Sequence, residues 1–162
     1  MTNIIFCGKG GQGILFASNL FTQYLFNYTN NYISSSDIHG LVKRGGAVSS
    51  EIKFGKEFIY SPIVENADYI VDFDGHEFLN YQDRLKKTST IIIPDNKEMF
   101  SSCNIIQFDS YNLLLKNHLH PQQKNMIILG YFVKILNMES PNWKKIIKSH
   151  SNYLAFLVGT NG

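Results

Sequence analysis

Two hydrophobic rhythms alternate along this chain. Residues 3–7 form an unbroken apolar run that stops at Gly8, which predicts a short buried strand. Over residues 14–26 the apolar positions Leu15, Phe16, Leu20, Tyr24 and Leu25 recur at helical spacing, predicting the first helix. Polar residues 27–31 break it. Tyr32 and Ile33 predict a second strand that fades into a polar loop at Ser34, Ser35 and Ser36. From Ala47 to Phe54 the period drops to two, with Val48, Ser50, Ile52 and Phe54 on one face and Ser49, Glu51 and Lys53 on the other. This predicts a half-exposed strand. Gly55 and Lys56 then turn the chain into Phe58, Ile59 and Tyr60, a β-hairpin ended by Pro62.

Further strands are predicted over residues 68–73, 90–93 (stopped by Pro94) and 105–108, with a short helix over 77–85. The last third is helical. Residues 126–136 are apolar almost all round, which predicts a buried helix. Ser140 as N-cap and Pro141 at the first helical position open another, with Trp143, Ile146 and Ile147 as its apolar stripe. Strands alternating with helices predict a three-layer α/β/α fold: a mainly parallel sheet, a Rossmann-like strand, glycine loop and helix at the N-terminus, and a β-hairpin addition. With no repeat or linker, residues 1–162 read as one domain.

Composition narrows the picture. A net charge of +2 offers no basic stripe for nucleic acid, and Lys144, Lys145 and Lys148 read as a solvated helix face. No apolar run approaches the ~20 residues of a membrane span, and no basic leader precedes the first strand, so a soluble cytoplasmic protein is expected. Cys7 and Cys103 fall in apolar runs and read as buried, reduced thiols. Two cysteines cannot ligate a cubane cluster, and no metal site is predicted. The aromatic share of 14% suits a thick core or an adhesive interface.

Three segments could carry chemistry. Gly8, Gly10 and Gly13 match G-x-G-x-x-G between a strand and a helix, with Gly11 and Gln12 inside the turn. Such a turn offers free N–H groups and a positive dipole end to an anion, or it merely lets the helix approach the strand. A dinucleotide site also needs an acid at the end of the second strand. Three serines stand there, and Asp37 comes late. The second segment holds His39, Gly40, Lys43, Arg44, Gly45 and Gly46 just before a strand. Arg44 could fork onto a phosphate or carboxylate, or pair with a neighbouring acid. No nucleophile–base order is present, so no catalytic residue is assigned. Asp72, Asp74, His76 and Glu77 make the third; metal ligation is open, but a helix start in solvent explains the acids as well.

Together these segments resemble the gamma-type domain of 2-oxoacid:ferredoxin oxidoreductases, the pyruvate, ketoisovalerate and indolepyruvate enzymes. The matching stretches are Gly8 to Gly13, His39-Gly40 with Arg44-Gly45-Gly46, Ser61-Pro62, Ala67-Asp68, Asn125 with Leu129-Gly130, and Asn152 with Ala155-Phe156 and Gly159. Within the family the chain is most similar to the indolepyruvate oxidoreductase beta subunit. The resemblance implies oxidative decarboxylation of a 2-oxoacid with coenzyme A, giving an acyl-CoA and reduced ferredoxin. It implies thiamine diphosphate, Mg and iron–sulfur clusters held by larger partner subunits, and an isolated chain that is inactive or a homodimer. Gly8, Gly10, Gly11, Gln12, Gly13, Arg44, Gly45 and Gly46 would then line one crevice for the coenzyme phosphates or the partner. A stand-alone dinucleotide-binding oxidoreductase and a non-enzymatic binding module of the same fold are the alternative readings.

Overall fold

A computed structural model describes residues 1–39, 46–95 and 103–162. The described residues form a six-stranded sheet from β1 (Thr2–Lys9), β2 (Tyr32–His39), β3 (Ala47–Gly55), β4 (Ala67–Asp72), β5 (Leu85–Pro94) and β6 (Asn104–Phe108). Its order is β2-β3-β1-β4-β5-β6. The pairs β1–β4, β4–β5 and β5–β6 are parallel, whereas β3 runs antiparallel to both of its neighbours. The mainly parallel α/β fold expected from the sequence is therefore present.

Alternate residues of the central strands feed two cores. Ile4, Phe6, Ile52, Val71 and Ile92 face the helices α1 (Ile14–Tyr28), α3 (Lys124–Ile135), α4 (Trp143–Ile146) and α5 (His150–Asn161). Ile5, Cys7, Ile70, Ile91 and Ile93 face the other way, onto Val64 and Phe78. The helical side is aromatic: Phe6 contacts Phe21, Phe73 and Phe132 at centroid distances of 5.5–5.9 Å. Trp143 stacks on Tyr24 at 4.0 Å, and its indole N–H donates to the Met138 carbonyl at 3.0 Å. An aromatic body with a satisfied polar handle suits so deep a position. Much of the aromatic surplus is thus core. Lys144, Lys145 and Lys148 are exposed, as their spacing predicts.

Several local expectations need correction. The hairpin partner of β3 is β2, from Tyr32 opposite Gly55 to His39 opposite Val48, and residues 58–60 form no strand. Ser34, Ser35 and Ser36 belong to β2 rather than to a loop, because the ladder to β3 supplies the backbone bonding their polar side chains do not suggest. Nor is β3 half-exposed: Ser49 to Ile52 are buried on both faces. The helix expected over 77–85 is a 3₁₀ helix, Glu77–Arg84, broken at Tyr81. Residues 140–147 hold only the single turn of α4, while α2 (Ser110–Lys116) and α5 are separate helices with caps of their own at Asp109 and Ser149.

Two buried contacts carry most of the constraint. Glu51 is fully buried; its carboxylate accepts from Val64 N–H at 2.6 Å and from the Arg84 guanidinium at 2.6 Å. This pair ties β3 to the 3₁₀ helix over the second face. On the first face α3 and α5 touch backbone to backbone. A Cβ on Gly130 would lie 2.1 Å from the Phe156 carbonyl oxygen, and one on Gly159 would lie 2.1 Å from that of Ile127. Lys134 Nζ donates to the Gly162 carbonyl at 2.6 Å, so the two helices run side by side in the same direction.

Gly159→Ala should therefore cost about 1–3 kcal/mol or more in urea unfolding, since no side-chain rotation relieves a clash with backbone. Arg84→Met should cost roughly 3–5 kcal/mol by stranding the Glu51 carboxylate. Adding Glu51→Gln should recover part of that loss, and purely additive losses in the double-mutant cycle would argue against the pairing.

Candidate functional site

The glycine turn leaves the carboxyl end of β1 and enters α1. Lys9 N–H donates to Gln12 Oε1 at 2.7 Å and Gln12 N–H to the Lys9 carbonyl at 3.1 Å, closing the turn on itself. Its glycines have separate reasons. A Cβ on Gly8 would press on Gln12 Oε1 and on Phe73. Gly13 has φ 76, and a Cβ there would lie 2.2 Å from Asn125 Nδ2. Gly11, at φ 94, faces open space. Gly10 N–H donates to the Gly46 carbonyl at 2.9 Å. The two glycine segments singled out in the sequence thus meet through their backbones. Arg44 and Gly45, with Gly40 and Lys43, lie outside the described residues.

Insertion of β3 explains the missing dinucleotide acid. In that fold the acid ends the strand beside the one bearing the glycine turn. Here β3 occupies that place and puts β2 two strand spacings, roughly 9.5 Å, from β1. Asp37 on β2 instead accepts from Ser50 Oγ at 2.6 Å.

The acids after β4 serve the turn and its neighbour. Asp72, fully buried, accepts from the N–H groups of Asp74, Gly75 and Phe78 at 2.8–2.9 Å and so fixes the start of the 3₁₀ helix. Burial raises its pKa in spite of those three donors. Asp74 pairs with Lys9 Nζ at 3.1 Å and accepts from Gln12 Nε2 at 3.2 Å. Burial, aided by the nearby Asp72, pushes the Cys7 thiol well above its ordinary value, which keeps it protonated and inert. Among the described residues no group of three His, Cys, Asp or Glu side chains is placed to hold a metal ion.

Beside the turn lies a cleft with two lobes. The first, about 260 Å³, is lined by Gly11, Gln12, Phe73, Lys124, Asn125 and Ile128 among others. The second, about 470 Å³, is lined by Phe16, His120, Gln122, Gln123, Asn125 and Asn152 among others. Asn125 belongs to both. It is 8% exposed, and its one hydrogen bond is a long one, 3.5 Å from Nδ2 to the Gly13 carbonyl; Oδ1 accepts nothing among the described residues. The start of α1 meets the second lobe through Phe16, while Gly11 and Gln12, just ahead of it, line the first. That helix start has no side-chain cap and no acid in its first turn, so its leading N–H groups and dipole remain available to an anion. Lys124 adds a cation partly spent on Asp95 at 2.6 Å. Asp95 also accepts from Ser110 Oγ and Tyr111 N–H. Burial pushes the Asp95 pKa up, but these donors and Lys124 outweigh it and hold the carboxyl below 3.8.

Of these lining residues, the sequence argument singled out Gly11 and Gln12 as ligand contacts. Asn125 and Asn152 entered only through the family resemblance. Lys124 and Asp95, 29 positions apart, share no period that could have joined them. Asn125 leaves the clearest trace, an amide at the head of an otherwise apolar helix.

Comparison with known proteins decides the family. The model for pyruvate ferredoxin/flavodoxin oxidoreductase matches residues 3–155. The chain belongs to that family. Among curated relatives, the indolepyruvate oxidoreductase subunit IorB of Methanothermobacter thermautotrophicus is 29% identical over 121 residues, covering 74% of this chain and 55% of the relative. The IorB of Thermococcus kodakarensis is 35% identical over 86 residues, covering 52% and 42%. The chain thus spans about half the length of the curated relatives it matches. The fold is shared with a keto/oxoacid ferredoxin oxidoreductase gamma subunit from Geobacter sulfurreducens (TM-score 0.80, 20% identity, covering 99% of this chain and 97% of the other). It also recurs within a 2-oxoglutarate:ferredoxin oxidoreductase from Magnetococcus marinus, solved with 2-oxoglutarate, coenzyme A and succinyl-CoA bound (TM-score 0.83, 13% identity, covering 99% and 30%). No described helix is long and apolar enough to cross a membrane.

The lowered Asp95 pKa has a signed consequence. Its stabilising contribution is fully present above the unfolded value near 3.8 and is lost as pH falls through the lower folded value. Asp95→Asn should therefore shrink the fall in urea midpoint between pH 5 and pH 2; an unchanged acid limb would contradict the assignment.

Proposed function

We propose that this chain is the gamma-type accessory subunit of a thiamine diphosphate-dependent 2-oxoacid:ferredoxin oxidoreductase, with an indolepyruvate-like 2-oxoacid as substrate. The complex decarboxylates the acid oxidatively, passes the acyl group to coenzyme A and delivers electrons to ferredoxin. The observation that carries this reading is the family match across residues 3–155. Residues 1–162 act as one domain of a cytoplasmic heteromer.

The division of labour follows from the donor groups. Iron–sulfur clusters do not fit this chain: a cubane needs four thiolates, the sequence holds two cysteines, and Cys7 is sealed within the sheet. The clusters, thiamine diphosphate and its Mg belong to larger partner subunits, and the isolated chain is inactive. Coenzyme A does fit. When bound it supplies the thiol that accepts the acyl group. Gly8, Gly10, Gly11, Gln12, Gly13 and Gly46 are assigned to the crevice for its phosphates, and Arg44 and Gly45 join that assignment on the sequence alone. There the open start of α1 offers N–H donors, and Gly11 leaves the backbone clear for close approach. A stand-alone dinucleotide oxidoreductase is disfavoured by β3 standing where the ribose-binding strand belongs.

The test is a native pull-down from the source cell. A large subunit carrying thiamine diphosphate and iron should co-purify, and coenzyme A-dependent decarboxylation should require both proteins. Decarboxylation by the isolated chain would refute the reading.

A further inference from the structure

β2 is the outermost strand beside β3, and the free side of its backbone carries a row of N–H and C=O groups that no described strand pairs. An edge of this kind is ordinarily blunted by shortness, a bulge, a proline or a lysine. The opposite edge, β6, is five residues long. β2 has eight, in unbroken register with β3, and contains no Pro, Lys or Arg. Its one acid, Asp37, faces the helical side and accepts from Ser50 Oγ at 2.6 Å.

The other face of β2 is apolar at both ends. Ser36 stands opposite Glu51, which stands opposite Ile5, so Tyr32, Ser34, Ser36 and Ile38 share the second face of the sheet. There the Tyr32 ring meets Phe58 at 5.7 Å and Phe58 meets Tyr60 at 5.0 Å, both edge to face. Lys53 Nζ pins the segment that follows by donating to the carbonyls of Ser61 and Ile63 at 3.0 Å. Tyr32 is 52% exposed, Phe58 59%, Tyr60 92% and Ile38, at the far end of the strand, 45%. At roughly 150–250 Å² per aromatic side chain, the three rings leave about 300–500 Å² in the open, as much as the largest apolar patch on an ordinary monomer.

We propose that β2 pairs antiparallel with β2 of a second copy of this chain, about a two-fold axis through Ser35, joining two sheets into one. Two requirements select that register. An axis normal to the sheet keeps each face on its own side, so only residues of the same parity stand opposite one another. The strand then overlaps itself most fully with Ser35 or Ser36 on the axis. With Ser36 there, Ile38 meets Ser34 and Tyr32 falls beyond the last residue of the opposing strand. With Ser35 there, Tyr32 meets Ile38 of the second copy and Ser34 meets Ser36, on both sides of the axis. Each copy then offers an aromatic socket at one end of β2 and an aliphatic plug at the other, and each plug fills the other's socket. A closed two-fold contact requires such self-complementarity, and aromatic–β-branched pairs are among the favourable cross-strand ones. No like charges are opposed, because Asp37 meets Ile33. Doubled by the axis and joined by Ile38 and the two strand edges, the patch comes to about 1,000 Å², where specific interfaces begin. The pairing goes beyond the subunit assignment and does not depend on it.

Sedimentation equilibrium of the full chain should show a monomer–dimer equilibrium at micromolar concentration. Ile38→Glu, which sets a carboxylate in each socket, should weaken it about ten-fold or more. Leu115→Glu, at an exposed position of α2, should leave it unchanged. Unaltered melting midpoints would show that both variants fold. Mild oxidation reads the register: Ser35→Cys should link to itself above the level of the unsubstituted chain, since Cβ atoms directly opposite lie about 4.5–5.5 Å apart, close to disulfide range. Ser36→Cys should not. A chain that stays monomeric, a dimer indifferent to Ile38→Glu, or linkage through Ser36→Cys instead would overturn the proposal. So would hydrogen-exchange protection of β2 that appears only when the thiamine subunit is added, which would assign the edge to that subunit. Co-purification in the pull-down is a separate result and leaves this one untouched.

Discussion

β3 runs antiparallel between β1 and β2, and the rest of the molecule is arranged around that insertion. It brings Gly46 against Gly10 at the head of the glycine turn. It also forces a polar strand into the interior, where Ser50 must find Asp37 and Glu51 must find Arg84. A buried carboxylate is tolerated only with a matched cation and its remaining lone pairs occupied, and the 3₁₀ helix Glu77–Arg84 supplies the cation. On the second face of the sheet, the segment that brings Phe78 into the apolar core thus also satisfies one buried charge of β3.

The carboxyl edge of the sheet follows from the same arrangement. Parallel strands β1, β4 and β5 end together, and their ends carry the glycine turn, Asp72 with Phe73, and Asp95. Each acid there is engaged locally: Asp72 by three N–H groups, Asp74 by Lys9 and Gln12, Asp95 by Lys124 and Ser110. The start of α1 carries no such partner, so the preference for an anion is concentrated at one place rather than spread along the edge.

How much of this was legible in the sequence depended on whether period alone decided the element. The runs at residues 3–7 and 14–26 and the buried helix near 126–136 were, because apolar periodicity and length agree there. The serines of β2 were not: their ladder lies with β3, and a strand held by its backbone leaves little hydrophobic trace. The depth of β3 was hidden because alternation of Ser, Glu and Lys looks like one wet face, and the groups that cover Glu51, Val64 and Arg84, lie 13 and 33 positions away. Of the candidate site, the glycine turn was read from its own spacing. The amide-lined lobe was not, since Phe16, His120, Asn125 and Asn152 come from separate helices and turns and converge only in the folded chain.

The close approach of α3 and α5 at Gly130 and at Gly159 has a meaning beyond packing. Asn125 and Asn152 stand in the first turns of α3 and α5, which run in the same direction and touch at backbone distance little more than a turn further on, about 7.5 Å along α3. Two rods clamped so close to their tips cannot splay there. The glycine pair is a calliper: it sets the aperture of the second lobe from outside it, and the jaws are held at that gauge before anything enters.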